Sequence, residues 1–272
     1  MMGAQRIVAH SMLLAAAYHS GGQERARSPR PLGVGPVAPG VVFAPEAARE
    51  FAQTDSLRRW RMDLWAMWRD DTTTPVTSGR PSYGRSQAGA VLRYRLDPGS
   101  HYAPEMHLRA TRALQGPGET DVALGASARP IASLPVRLAA EARVSETFNG
   151  TELRGAAFAV TELAPVDLPA GLSAEAYLQG GYVSGDFATP FIDGQARIVR
   201  ELARTDRFRL TAGGGAWGSA QDNARRLDVG PSAGISFRLG EAQGRVAADY
   251  RFRVAGNAEP ASGPALTLTA GF

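Results

Sequence analysis

Two short stretches carry the spelling of chemistry. GPSAG, Gly230–Gly234, sets Ser232 in the pattern of a nucleophile elbow. GGGAWG, Gly213–Gly218, spells a dinucleotide-binding fingerprint. Both spellings depend on context. An elbow needs a sharp strand-to-helix turn, and a fingerprint needs a glycine turn opening a helix inside a βαβ unit. Here period-two alternation runs through both, so both read as strand. The glycines of 213–218 mark a strand bend or a close backbone approach.

The remaining candidates are as readily structural. Of His10, His19, His101 and His107, only His107 falls in a clear strand, about seven strands before Ser232. A Ser–His pair on a barrel, acting on lipid, is the alternative this leaves open. His101 and His107 lack the spacing of metal ligands. Glu141, Glu175, Asp193 and Asp228 read as partners of arginine rather than as an acid/base pair. Cysteine is absent, which excludes disulfides, thiolate zinc sites and cysteine nucleophiles. Asn149 spells a glycosylation acceptor but suits a turn. The reading is therefore of a chain that is not an enzyme, with no cofactor and no metal.

Arginine is the conspicuous residue. All 30 basic side chains are arginine, and lysine does not occur. Each cation is thus a planar fork suited to carboxylate, phosphate or sulfate. The net charge of +4 is small, so a nucleic-acid partner is not expected.

The elements that carry these arginines share one pattern. In Gly244–Gly256, Val246, Ala248, Tyr250, Phe252 and Val254 alternate with Arg245, Ala247, Asp249, Arg251 and Arg253. Period two is the signature of a strand with one apolar and one polar face. The same alternation puts Arg93, Arg95, His107, Arg109, Arg137, Glu141 and Arg143 on polar faces. Further on it adds Glu175, Tyr177, Gln179, Asp193, Gln195, Arg197, Arg226, Asp228 and Arg238. In Trp60–Arg69 it sets Trp60, Met62, Leu64, Ala66 and Trp68 against the intervening residues, although a helix competes there. RGAAFAVTEL has no clear phase. About twelve strands result, most of about nine to eleven residues, joined by short polar turns.

A soluble sandwich or barrel and a transmembrane barrel both accept such strands. Three features favour the membrane. The apolar faces are built of Ala, Val and Leu, which would leave voids in a packed core. Trp60, Trp68, Tyr94, Tyr182 and Tyr250 fall where an interfacial girdle would. The strand count is even and the connections are short. The fold class is therefore all-β: a transmembrane antiparallel up-and-down β-barrel of about 12 strands, preceded by a disordered N-terminal segment. An open edge in hydrocarbon is too costly, so RWRMDLWAMW should pair with PALTLTAGF to close the ring. By phase, the lumen carries roughly twice as many arginines as acids. Its expected lining is Arg93, Arg95, Arg109, Arg137, Arg143, Arg197, Arg226, Arg238, Arg245, Arg251 and Arg253, with Asp193, Asp228 and Asp249. Two readings of this lining stand: an anion-favouring passage, or ion-pair ladders that plug a narrow barrel.

Residues 57–272 also resemble a family. YLQGGYVSGDFATPFIDGQARIV, GAWGSAQDNARRLDVGPS, LDVGPSAGISFRL and RFRVAGNAEPASGPALTLTAGF are similar to the C-terminal outer-membrane barrel of NfrA-type bacteriophage adsorption proteins. The barrels of cellulose-type exopolysaccharide-secretion porins are more distantly similar. The resemblance implies a pore or anchor in exopolysaccharide or envelope export, or in phage adsorption. It implies the outer membrane of a Gram-negative bacterium, and Phe272 as an assembly signal read by the barrel assembly machinery. Outer-membrane lipid, an anionic polysaccharide and a phage protein are the partners it suggests. The family's long helical-repeat region has no counterpart here. The outward connections, of which Asp70–Ser86 is the longest, are short for a phage receptor. A soluble ligand-binding β-barrel domain remains the third class.

The first 56 residues read differently. Residues 1–22 fit a signal peptide, with Arg6 before Ile7–Ala17, or a misassigned start ahead of a fragment. Residues 23–56 are rich in Pro, Gly and Arg and read as a flexible linker, with a short helix over Pro45–Gln53.

Overall fold

The computed structural model describes residues 59–69, 86–114, 120–147, 150–185, 188–222 and 224–272. The expected signal peptide, linker and Pro45–Gln53 helix lie outside the described residues, as do Asn149 and residues 70–85.

Alternation becomes strand almost everywhere it occurs. The strands are β1 (Trp60–Arg69), β2 (Gln87–Arg95), β3 (Glu105–Ala113), β4 (Thr120–Ala128), β5 (Val136–Thr147) and β6 (Gly150–Thr161). There follow β7 (Val166–Leu168), β8 (Leu172–Val183), β9 (Thr189–Arg204), β10 (Phe208–Gln221), β11 (Ala224–Leu239), β12 (Ala242–Gly256) and β13 (Gly263–Gly271). Each pairs antiparallel with its neighbour in sequence, except that β6 pairs with β8 and β1 pairs with β13. These two pairings close the ring, and the result is a closed antiparallel barrel of twelve staves. The three-residue β7 is an additional strand on the edge of β8, paired from Val166↔Ala174 to Leu168↔Leu172.

Closure between the first and last strands follows the expected match. Seven pairs run from Asp63↔Gly271 to Arg69↔Ala265. Beyond them, Met62 and Phe272 exchange two backbone hydrogen bonds, 3.1 and 3.2 Å. The β6–β8 seam is shorter, five pairs from Ala156↔Val183 to Val160↔Gln179. Side chains extend it. The Leu178 amide donates to Thr161 Oγ1 at 3.0 Å, the Gly155 amide donates to Ser184 Oγ at 2.9 Å, and Ser184 Oγ donates to the Gly155 carbonyl. A Cβ at Gly181 would lie 2.3 Å from the Ala157 carbonyl oxygen, so this seam requires glycine there.

Burial inverts the pattern of a soluble protein. Leu108, Leu124, Leu138, Leu153, Ile192, Ile198, Phe252 and Leu266 are exposed on the outer wall, while arginines and carboxylates fill the interior. A continuous exposed apolar belt of this kind is stable only against hydrocarbon. The belt is edged by aromatics: Trp60 stacks on Tyr94 with centroids 4.8 Å apart at one rim, and Trp68 stands exposed at the other. RGAAFAVTEL, which has no phase in sequence, becomes β6 with Arg154, Ala156, Phe158 and Val160 turned inward. Small residues on both of its faces erase the contrast that phase depends on.

Candidate functional site

The interior is a network of guanidiniums and carboxylates, and the backbone alternation decides its members. Arg93, Arg109, Arg137, Arg143, Arg197, Arg226, Arg245 and Arg251 are buried on the inner face with Asp193, Asp228 and Asp249. Arg95, Arg238 and Arg253 are half-buried near strand ends. Phe272 is exposed on the outer wall.

One group of contacts stays within a strand or reaches strands one or two positions away. Glu141 on β5 accepts from Arg109 on β3 at 2.7 Å, from Arg143 at 2.9 Å, and meets His107 Nε2 at 3.0 Å. Glu105 on β3 binds Arg61, and has Arg137 at 3.5 Å and Arg95 at 3.7 Å. Just beyond the end of β6, Glu162 binds Arg129 and, at 2.8 Å, Arg137. Burial alone would raise the Glu162 pKa; the charges of Arg137 and Arg129 outweigh it and hold the carboxyl below its usual range.

A second group reaches further round the ring, through the interior, to strands three or four places away. Arg197 on β9 donates to Asp249 on β12 at 3.0 Å, and Arg251 donates to the same carboxylate at 3.2 Å. Arg245 on β12 reaches Glu175 on β8 at 3.1 Å, and Arg69 on β1 reaches Asp228 on β11 at 3.1 Å. Arg226 adds a 2.8 Å contact to Asp228. Trp217 on β10 lies under two of these cations, with Arg251 4.5 Å and Arg197 5.6 Å from its ring centroid. Asp193 is held by Tyr177 at 2.6 Å and Gln179 at 3.4 Å.

The β12–β13 connection, Asn257–Ser262, completes this network at the mouth. Its sequence reads as an ordinary outward turn, yet Ala258 and Glu259 are buried. Arg226 donates to the carbonyls of Ala258, Pro260 and Ala261; Arg69 donates to that of Ala261, and Arg253 to that of Ala258. Arg253 also lies 3.5 Å from Glu259. Sequence reasoning missed this inward fold, and Glu162 and Glu259 with it. A carboxylate amid small neutral residues in a turn was the available signal. With them, eleven arginines face eight carboxylates among the buried described residues, closer to balance than two to one.

The tempting motifs settle into wall. Gly213–Gly218 lies in β10, paired on both sides; a Cβ at Gly213 would lie 2.0 Å from the Ile198 carbonyl oxygen. Ser232 is buried on β11 opposite Asp249, while His107 is bonded to Glu141, so the structure does not bring them together. His101 stands exposed in the β2–β3 turn.

No protein-family model and no curated protein matches the sequence. Solved outer-membrane barrels do match in shape. LpxR from Salmonella typhimurium is 10% identical over 78% of this chain and 99% of its own, with a TM-score of 0.43. The β domain of the Bordetella autotransporter Brka is 12% identical over 78% and 97%, TM-score 0.42. A bacterial polysaccharide outer membrane secretin is 8% identical over 79% and 98%, TM-score 0.40. These likenesses concern the fold, and they do not single out NfrA-type barrels. They overturn one expectation. Barrel enzymes, LpxR among them, stand beside secretion domains in this set, so the architecture gives no ground for reading the chain as a non-enzyme.

Proposed function

We propose that this protein is an outer-membrane barrel of a Gram-negative envelope, anchoring an export or phage-adsorption assembly with its lumen closed at rest. The observation that carries the reading is the set of ion pairs from Arg69, Arg197 and Arg245 that cross the interior, with Asn257–Ser262 folded into the mouth above them. A passage for polysaccharide would need that space free of fixed side chains. The resemblance of residues 57–272 to NfrA-type adsorption barrels, and more distantly to exopolysaccharide porins, supports the choice of assembly. An anionic polysaccharide or a phage protein is the partner this assembly handles.

Two measurements test the proposal. Membrane fractionation with unboiled gels should place the chain in the outer membrane as a heat-modifiable band; recovery in the soluble fraction would sink the reading. In planar bilayers the full chain should show no steady conductance, and Arg69→Ala with Arg226→Ala should produce channel events. Steady anion-selective current from the unaltered protein would replace the anchor with an open pore.

A further inference from the structure

The outer wall is not uniform. The backbone register builds a trough along β9 and β10, where Gly194, Ala196, Ala216, Gly218 and Ala220 form its floor. Lateral pairing sets Leu178 beside Gly194, Gly194 beside Gly218, and Gly218 beside Leu227. Leucines thus wall a floor of glycine and alanine. The trough encloses about 970 Å³. From Ala216 to Ala220 it runs about 14 Å, at about 3.4 Å per strand residue, on the scale of an acyl chain. At its upper end, beside Ala220, stands Arg225. Arg225 is exposed, and its guanidinium has no ion pair among the described residues.

The same arrangement recurs on the other flank. Ala66, Ala88, Ala90 and Ala110 floor a second groove of about 470 Å³, with Leu64 and Leu268 in its wall. Arg112 lies directly beside Ala88, exposed and again without an ion pair among the described residues. Arg112 is the last residue but one of β3 and Arg225 the second of β11, so both belong to the rim away from Trp60 and Phe272.

In a barrel whose described residues pair most of their guanidiniums internally, an arginine on the lipid face with no ion pair among those residues is a cost. That cost is largest at the bilayer midplane and small near the interface, where anionic headgroups lie. A phosphate would supply the missing charge in bidentate geometry while an acyl chain fills the trough below. We propose that each groove binds one phosphorylated, multiply acylated glycolipid of the outer leaflet, its phosphate on Arg225 or Arg112 and one chain in the trough. This rests on the outer-membrane reading, in which the rim opposite Trp60 and Phe272 faces outward.

The test is native mass spectrometry of the full chain in detergent, titrated with lipid A, with dephosphorylated lipid A and with phosphatidylglycerol. Two copies of lipid A should bind, and removing the phosphates should weaken both about tenfold or more, about 1.4 kcal/mol each. Arg225→Gln combined with Gly218→Leu should leave one copy; a Cβ at Gly218 meets nothing closer than 3.5 Å, so the wall tolerates the change. Arg112→Gln with Ala90→Leu should remove the other. Arg200→Gln, an exposed arginine on the outer face of β9 near the opposite rim, should retain both. The inference is overturned if groove variants keep both copies, if dephosphorylated lipid binds equally, or if phosphatidylglycerol is preferred. Heat-modifiable migration in every variant separates these results from a failure of the barrel or its location.

Discussion

The first six strands and the last six hold their charges by different geometries. In β1–β6, of 9 to 12 residues each, single carboxylates gather partners from their own strand or from strands one or two places away: Glu141 takes Arg109, Arg143 and His107, and Glu105 takes Arg61, Arg95 and Arg137. In the second half β9–β12 run to 14–16 residues, and pairs such as Arg197–Asp249 and Arg245–Glu175 join strands three or four places apart round the ring. A clamp between near strands is satisfied in an open sheet. A bridge across the interior exists only once the sheet has curled. Short-range contacts form early and long-range contacts carry the larger closure cost. The two halves therefore divide the work between building the sheet and fixing its closed form.

Breaking the long bridges should have the largest effect. Asp249→Asn removes the charge between buried Arg197 and Arg251, and should cost about 3–5 kcal/mol in urea unfolding from micelles. A contact that needs the curled sheet is expected to form late, so most of that cost should appear as faster unfolding. Glu141→Gln likewise leaves buried Arg109 and Arg143 without a counter-charge, so it should cost a comparable amount, about 3 kcal/mol, and should slow folding instead. Equal slowing of folding by both changes would end the distinction. Gly256→Ala tests the mouth without touching a charge. Gly256 has φ +99°, and an added Cβ would lie 2.1 Å from the Arg225 carbonyl oxygen. It should cost about 1–3 kcal/mol in the same assay.

The smallest effect is one of pH, at the end of the first half. Glu162 has a folded pKa below its unfolded value. Its stabilisation is therefore fully present above the ordinary glutamate range and is lost as pH falls through the lower folded value. Unfolding midpoints measured from pH 7 down to pH 3 should fall more steeply for the unaltered chain than for Glu162→Gln. A parallel decline in both would show that the Arg129 and Arg137 contacts contribute nothing there.

The wall of this barrel was legible because each inward residue announces itself by contrast with the next. Arg245, Asp249 and Arg251 between Val246, Ala248, Tyr250 and Phe252 leave one phase available, and the match of β1 with β13 follows from the cost of an open edge. Contrast fails in β6, where alanine and glycine lie on both faces, and in β7, where Val166–Leu168 is too short to show a period. Alternation put many of the network's residues on inward faces, Glu162 and Glu259 excepted, but gave none of the pairings. Nothing near Arg69 in sequence points to Asp228, because the ring, not the chain, makes them neighbours. The inward fold of Asn257–Ser262 was hidden for the same reason. Its carbonyls are acceptors like any others, and only the arrival of Arg69 and Arg226 gives them a direction.

The uneven joints of the cylinder carry a mechanical consequence. A hoop under tension parts at its thinnest weld, and the five pairs joining β6 to β8 are fewer than the seven that seal first stave to last. Heat or a pulling probe should slit this cylinder along Ala156–Val160, leaving one ribbon in which the first and last staves remain fastened side by side.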